Sequence, residues 1–446
     1  MKYREFILAE QENMIEELKR FVSINSVFDK STITKEHPFG QGVAKALDYV
    51  VKLGENHGFE VDRCDGYCTE LTIGSGDKTI GIFAHSDVVP ATGEWKKDPF
   101  SPYVEDGKLF GRGTSDDKGP FMAAFYAVLA LLDAGLLKDY KVRFVVGGDE
   151  ERGSRCLEYY FKTLKKPSPT YGFTPDADFP VIYGEKGIND FFPEIKVEIP
   201  HVKRISGGAA TNAVCDKVEI ELDDAKPVLD YLSKNGVAYS SEKNTITIIG
   251  KSAHGSTPNE GDNAAIETMK ILGDVFDVKT LQKLADGLSE TSGKKWNGFC
   301  KTKLMGETTY CVGLISYENG LLKFSVNFRY PETVKSIEYK DRFDEYFGTK
   351  STMGEESHVL FFDPKSKLVK TLMKAYRLET HDLFAKPITI GGGTYAKHCE
   401  NTVAFGALFQ GRESVMHQPN EYMPVDDIVK SALIYARAIM LLGNLK

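Results

Sequence analysis

The sequence predicts a mixed-sheet α/β domain that is interrupted by an inserted α+β domain. Three observations carry that expectation. Helical and β-prone segments alternate over residues 1–187; the texture changes to alternating apolar and polar strand patterns over 188–358; and residues 359–446 return to the first texture. A chain of 446 residues is also longer than one hydrophobic core organises. We therefore expect 1–187 and 359–446 to form one discontinuous domain around an insert of 188–358.

The elements follow in order. Near the N-terminus, Phe6, Ile7, Ile15, Leu18, Phe21 and Val22 are interleaved with charges, the pattern of an amphipathic helix. The run 79–84 (TIGIFA) reads as a strand that stops at His85-Ser86-Asp87. The segment 121–137 (FMAAFYAVLALLDAGLL) is apolar on nearly every side and reads as a buried helix ending near Gly135. A second strand, 140–146, stops at Gly147-Gly148-Asp149-Glu150-Glu151, and a third, around 180–183, follows Asp176. In the insert, 218–222, 245–250 and 321–331 alternate as half-buried strands, with helical stretches at 263–275 and 278–290. A helix near 366–378 and a glycine-rich loop at 391–393 lead back to the first domain.

Composition narrows the function classes. A net charge of −8 gives no general attraction to phosphate backbones or anionic membranes, so nucleic acid is not an expected partner. No run of about eighteen uncharged apolar residues is present, so no membrane span is expected. The first residues lack the apolar core of a signal peptide. The seven cysteines, at 64, 68, 156, 215, 300, 311 and 399, are odd in number, and only Cys64 and Cys68 lie close together without further ligand spacing. They read as reduced thiols of a cytoplasmic protein.

The polar residues at the strand ends are the chemical signal. His85 and Asp87 are two apart, so an extended chain points them the same way. Asp116 and Asp117 sit at a helix start, and Asp149, Glu150 and Glu151 are three consecutive acids after a strand. In open α/β sheets, ligand sites gather at the carboxyl ends of strands. Acids clustered there repel one another, and divalent cations resolve the repulsion; imidazole with carboxylate suits zinc, manganese or cobalt. Each motif alone is also what a helix cap or a solvated loop looks like; their recurrence at successive strand ends favours a metal centre.

Seven segments then carry a resemblance: GIFAHSDVVP (81–90), LFGRGTSDDKGP (109–120), GGDEERGS (147–154), TPDADFPVIYGEKG (174–187), SAHGSTPNEGDNA (252–264), ITIGGGTYAKH (388–398) and VMHQPNEY (415–422). In this order they resemble the co-catalytic zinc metallopeptidases that include aminoacylase, carnosinase, glutamate carboxypeptidase and succinyl-diaminopimelate desuccinylase. The likeness spans nearly the whole chain and is greatest to the bacterial dipeptidase V branch, with its manganese-dependent relatives.

The resemblance implies roles. His85 matches the first metal ligand, with Asp87 orienting its ring. Asp116, rather than Asp117, matches the bridging carboxylate of an Asp-x-Lys-Gly motif. Glu150 matches the general base and Glu151 a ligand, while Asp176 and His417 match the terminal ligands, with Asp178 a competing assignment for Asp176. Two divalent ions, zinc or manganese with cobalt possible, would then each see three protein ligands: His85, Asp116 and Asp176 for one, and Asp116, Glu151 and His417 for the other. Glu150 would take the proton of a water made acidic by the two cations. His254 matches a histidine that stabilises the oxyanion, and Arg329 an arginine that receives the substrate's C-terminal carboxylate. Asn212 matches a substrate-binding asparagine, although Cys215 stands where the family has proline. Gly391, Gly392, Gly393 and Thr394 form a loop that either brings backbone groups close to the substrate or simply turns.

Aspartate at position 176 is the family's dipeptidase form, where desuccinylases and carboxypeptidases carry glutamate. The resemblance thus implies a monomeric dipeptidase acting on small peptides with a free amino end, its enlarged insert replacing a dimer partner. An N-acyl amino acid amidohydrolase and a catalytically silent peptide-binding protein are the alternatives; retention of Glu150 and His254, neither needed merely to hold metal, argues against the silent form.

Overall fold

The N-terminal amphipathic stretch folds as two helices, Lys2–Ala9 and Gln11–Val22, in a computed structural model that describes residues 2–445. Glu10, at φ −90° and ψ 7°, separates them. Each helix can then turn its own apolar face inward: Tyr3 and Ile7 from the first, and Met14, Leu18, Phe21 and Val22 from the second. Each such side chain, fully buried, contributes about 1.5–3 kcal/mol.

The apolar segment after Asp117 forms the helix Lys118–Asp133, buried along its length as far as Leu131. A helix apolar on all sides must be covered on all sides. The first N-terminal helix, the strand Lys78–His85 and a long C-terminal helix, Val425–Gly443, pack against it. That last helix is an addition to the sequence reading.

The described residues form two compact units: the first comprises residues up to Gly184, Phe362–Ile388 and everything from Thr394, and the second Glu185–Phe361 with Thr389–Gly393. The sheet of the first unit is mixed, in the order Glu60–Asp62, Cys68–Gly74, Tyr140–Gly147, Lys78–His85, Tyr171–Thr174, Thr402–Ala404 and Ile182–Glu185. The four strands from Tyr140–Gly147 to Thr402–Ala404 run parallel, and the flanking strands are antiparallel. The third expected strand is present, and a further one, not expected, precedes Asp176. Ile182–Glu185 is an antiparallel strand beyond Asp176, whereas the strand that delivers Asp176 is Tyr171–Thr174.

In the second unit an antiparallel sheet runs in the order Tyr239–Glu242, Thr245–Ile249, Lys217–Leu222, Val202–Gly207, Thr309–Glu318, Leu321–Tyr330, Gly187–Lys196 and Lys350–Met353. Its strands alternate as half-buried strands should: Val218, Ile220 and Leu222 point into a core with Ile246, Phe324 and Phe328, while Glu219 and Glu221 face out. The helices Ala264–Val275 and Lys279–Leu288 close that core, and Asn263 caps the first of them by accepting from Ala265 and Ile266 N–H.

All seven cysteines are free thiols, and all but Cys300 are buried. Cys64, Cys68, Cys156 and Cys399 share one apolar cluster with Phe39, Phe83, Tyr160 and Tyr395 in the first unit. No described helix is long and apolar enough to cross a membrane.

Candidate metal centre

Strand register assembles the centre. His85 ends its strand opposite Gly147, so the neighbouring strand leads directly into Asp149, Glu150 and Glu151. On the other side Ile82 pairs with Phe173, three residues before His85 and Asp176 respectively. Parallel pairing therefore brings residues distant in sequence to one rim at the carboxyl ends of the strands.

Two ligand groups result. His85, Asp116 and Asp176 offer atoms within 4.8 Å of one another, and so do Asp116, Glu151 and His417. Asp116 belongs to both: its Oδ1 lies 2.9 Å from His85 Nε2, and its Oδ2 lies 2.9 Å from His417 Nε2. Glu151 Oε1 stands 3.2 Å from His417 Nε2, and Asp176 Oδ2 stands 3.7 Å from His85 Nε2. Asp178 enters neither group. Its carboxyl is nevertheless raised by burial.

Asp87 does more than orient a ring. His85 Nδ1 lies 2.9 Å from the Asp87 carbonyl oxygen and 3.5 Å from its carboxylate. Nδ1–H donating to that carbonyl leaves the Nε2 lone pair for a metal. The Asp87 carboxylate accepts from the Glu150 and Glu151 N–H groups at 3.1 and 3.2 Å. One aspartate thus joins the first histidine to the glutamate loop.

Two sequence expectations are corrected. Asp149 does not add a third free acid, because Arg155 grips its carboxylate at 2.6 and 2.8 Å. Asp117 does not cap the helix it precedes; its Oδ2 accepts from His85 N–H at 3.0 Å, and its buried Oδ1 has no hydrogen-bond partner.

The electrostatics call for cations. Burial raises the Asp176 carboxyl and the Asp116 charge adds to it, pushing it up to about 8. Burial and then Asp176 hold Glu150 well above the usual carboxylate range, and burial and then Asp116 raise Glu151. Burial works against charge on His417, but hydrogen bonds to Asp116 and Glu151 win and push its pKa up to about 11. Lys118, which follows Asp116 and Asp117 in sequence, donates instead to the carbonyls of Phe21 and Ile24 at 3.2 and 2.8 Å. The donor set, two imidazoles and a shared carboxylate among further carboxylates, fits a pair of divalent nitrogen- and oxygen-seeking cations.

The remaining candidates lie in the second unit, except Thr394. His254 Nδ1 is 2.7 Å from Ser256 Oγ, and Gly255 N–H donates to Asn212 O at 2.7 Å. A Cβ at Gly255 would sit 2.8 Å from both Asn212 O and Asn327 Oδ1, so only glycine fits between them. Arg329 is buried, donating to Asn327 Oδ1 at 2.9 Å and to Gly391 O at 2.7 Å, and burial brings its pKa down to about 10. A Cβ at Gly391 would come within 2.9 Å of Ser256 Cβ. The structure thus brings Asn212, His254, Arg329 and Gly391 into one neighbourhood; Gly392 and Gly393 continue that loop, and the Thr394 side chain accepts from Ala396 N–H.

Residues 81–441 match the family model described as peptidase family M20/M25/M40. The chain belongs to that family. An M20/M25/M40 member is a hydrolase acting on peptide bonds, and the family is one of metallopeptidases, in keeping with the donor set above. "Putative dipeptidase YtjP" of Bacillus subtilis (strain 168) is 36% identical, over 98% of this chain and 99% of its own length. A Staphylococcus epidermidis (strain ATCC 12228 / FDA PCI 1200) relative of similar name is 34% identical, over 98% of each. Among solved structures, human carnosine dipeptidase 1 aligns with a TM-score of 0.62 at 16% identity, covering 100% of this chain and 98% of that one. The Saccharomyces cerevisiae dipeptidase Dug1p gives 0.61 at 15%, with the same coverage. At such identities these two likenesses establish the fold.

Sequence reasoning missed Arg112 and Glu421, two fully buried charged residues beside the ligand loops, paired at 2.7 Å. The signal available was Glu421 itself, a carboxylate inside a matching segment with no role assigned.

Proposed function

We propose that this M20/M25/M40 member is a dipeptidase that cleaves dipeptides carrying a free amino terminus. The observation that carries the reading is Asp116, with one oxygen facing His85 and the other facing His417. We assign one ion to His85, Asp116 and Asp176, and a second to Asp116, Glu151 and His417. Bound zinc, manganese or cobalt would supply Lewis acidity, lowering the pKa of a water and polarising the scissile carbonyl.

The chain's own groups do the rest. Glu150, poised by burial to hold a proton, takes one from the attacking water and returns it to the leaving amine. Asp87 keeps the His85 ring in register with the glutamate loop. Arg329, held by Asn327 and Gly391, receives the substrate's carboxylate. His254 donates to the developing oxyanion, while Asn212 and the backbone of Gly392, Gly393 and Thr394 orient the peptide.

We further assign catalysis to residues 1–187 and 359–446 and a lid role to 188–358, in a monomeric cytoplasmic enzyme. The names of the relatives support the substrate class.

The test is hydrolysis of a dipeptide panel by chelated protein resupplied separately with zinc, manganese and cobalt, with N-acetylated dipeptides as controls. Metal-dependent cleavage of the free-amine peptides alone is the expected result. Cleavage of the acetylated controls instead would make the protein an N-acyl amino acid amidohydrolase. Metal uptake without turnover would make it a silent peptide-binding protein.

A further inference from the structure

Glu421 lies four residues beyond His417 and is fully buried, yet its side chain reaches a different loop. It accepts from Arg112 Nη1 at 2.7 Å, from Gly113 N–H at 3.1 Å, from Ser115 N–H and Oγ–H at 2.8 and 3.0 Å, and from Asp116 N–H at 3.3 Å. Its backbone carbonyl accepts from Gly111 N–H at 3.0 Å. Every one of these bonds ends on the loop that presents Asp116. Arg112 completes the connection: its Nη2 lies 3.4 Å from the carbonyl oxygens of both His417 and Pro90, with its guanidinium 5.1 Å from the Trp95 ring.

A buried ion pair is a poor source of stability, because desolvation offsets most of its attraction. What it offers is fixed geometry, since each charge accepts only one arrangement of its hydrogen bonds. Here the two anchored loops carry Asp116 and His417, two of the three residues in one ligand group. The other group takes His85 and Asp176 from adjacent strands whose register is set by the sheet itself.

We propose that the Arg112–Glu421 pair is a positioning clamp that fixes the spacing between Asp116 and His417, and so governs metal affinity at the Asp116–Glu151–His417 group in particular. The inference rests on the reading of the two groups as metal sites. Removing the clamp frees the His417 loop relative to Asp116 while leaving His85 and Asp176 on their strands. Asp116 serves both groups, so both would loosen, but the Asp116–Glu151–His417 group has two of its three residues on the clamped loops and the other group only one, so the former would weaken more.

The experiment is calorimetric titration of chelated wild-type, Glu421→Gln, Arg112→Lys and Ser115→Ala proteins with zinc and, separately, manganese, alongside thermal unfolding in chelator. Glu421→Gln and Arg112→Lys are expected to weaken one of two binding steps by about ten- to a hundredfold, the range for groups that orient ligands. The other step should hold within about threefold, and Ser115→Ala, which loses a single bond, should shift the weaker step slightly. Arg112→Lys and Ser115→Ala keep the test open should Glu421→Gln fail to fold. Equal weakening of both steps, or unchanged affinity in variants that merely melt earlier, would overturn the clamp. Wild-type protein that takes up fewer than two ions would overturn the metal reading and the clamp together.

Discussion

Consider Asp176→Asn in protein stripped of metal. In the folded, ion-free chain the Asp176 carboxyl is pushed from its ordinary 3.8 up to about 8. Between those values the folded state keeps a proton that the unfolded chain has released, so ion-free stability falls as pH rises. Each pH unit costs 1.36 kcal/mol per proton. The penalty is therefore about 2 kcal/mol at pH 5 and about 4 kcal/mol at pH 7, with nothing left to lose above about pH 8. Part of the elevation comes from the neighbouring charges of Asp116 and Glu151, and the Glu151 part relaxes as that raised carboxyl takes up a proton. That leaves an expected gain for the asparagine variant of about 2–4 kcal/mol at pH 7. The assay is urea denaturation in chelator from pH 4 to 8. The chain has two tryptophans, Trp95 in the first unit and Trp296 in the second, so a Trp296→Phe background reports on the first unit alone. Variant and parent should coincide near pH 4 and diverge steadily to pH 8, and saturating zinc should reverse the order. A difference that does not change with pH in chelator would refute the reasoning.

Other outcomes follow from the same geometry. Glu150→Gln should lower kcat by about 10²–10⁴-fold, the share of a general base, with both ions still taken up in calorimetry; loss of metal together with activity would make Glu150 a ligand. Arg329→Lys should raise KM for dipeptides about tenfold or more while sparing C-terminally amidated ones, because lysine cannot present a planar fork. Equal losses on both substrates would make Arg329 structural. Gly119→Ala would place a Cβ 2.0 Å from Thr114 O and 3.2 Å from Met423 Sδ. The 112–116 loop must then shift, at a cost of about 1–3 kcal/mol and with weakened metal binding, both readable from melting with and without zinc.

The sequence was most legible where local pattern and tertiary role coincide. Residues 118–133 are apolar on all sides and buried on all sides, and the strands 217–222 and 321–330 alternate as they pack. His85, Asp116, Glu151, Asp176 and His417 could be nominated because each sits in a segment that carries the family resemblance, and the fold brings them together as two groups. Tyr171–Thr174 was missed because four residues that include a glycine carry little periodicity, and its pairing with Lys78–His85 is non-local. The break at Glu10 left the apolar spacing nearly intact, so one helix and two look alike in sequence. The Asp149–Arg155 and Arg112–Glu421 pairs were missed for another reason. Nothing in a linear pattern states which cation answers which acid, and the second pair spans most of the chain.

The order of the strands has a consequence for how the protein is made. Thr402–Ala404 lies between Tyr171–Thr174 and Ile182–Glu185, so the sheet has a gap in its middle until the last stretch of chain is supplied. His417 arrives later still. At ordinary translation speeds, roughly 10–50 s separate the synthesis of Asp176 from that of His417. Through that interval the nascent chain carries Asp116, Glu150, Glu151 and Asp176 without their second imidazole, while the whole second unit emerges and is free to fold on its own core. An ion held by the Asp116–Glu151–His417 group would therefore be acquired only after His417 has been made. The first unit is completed by residues 394–445, which supply the missing strand, the His417 imidazole and the covering helix in a single pass.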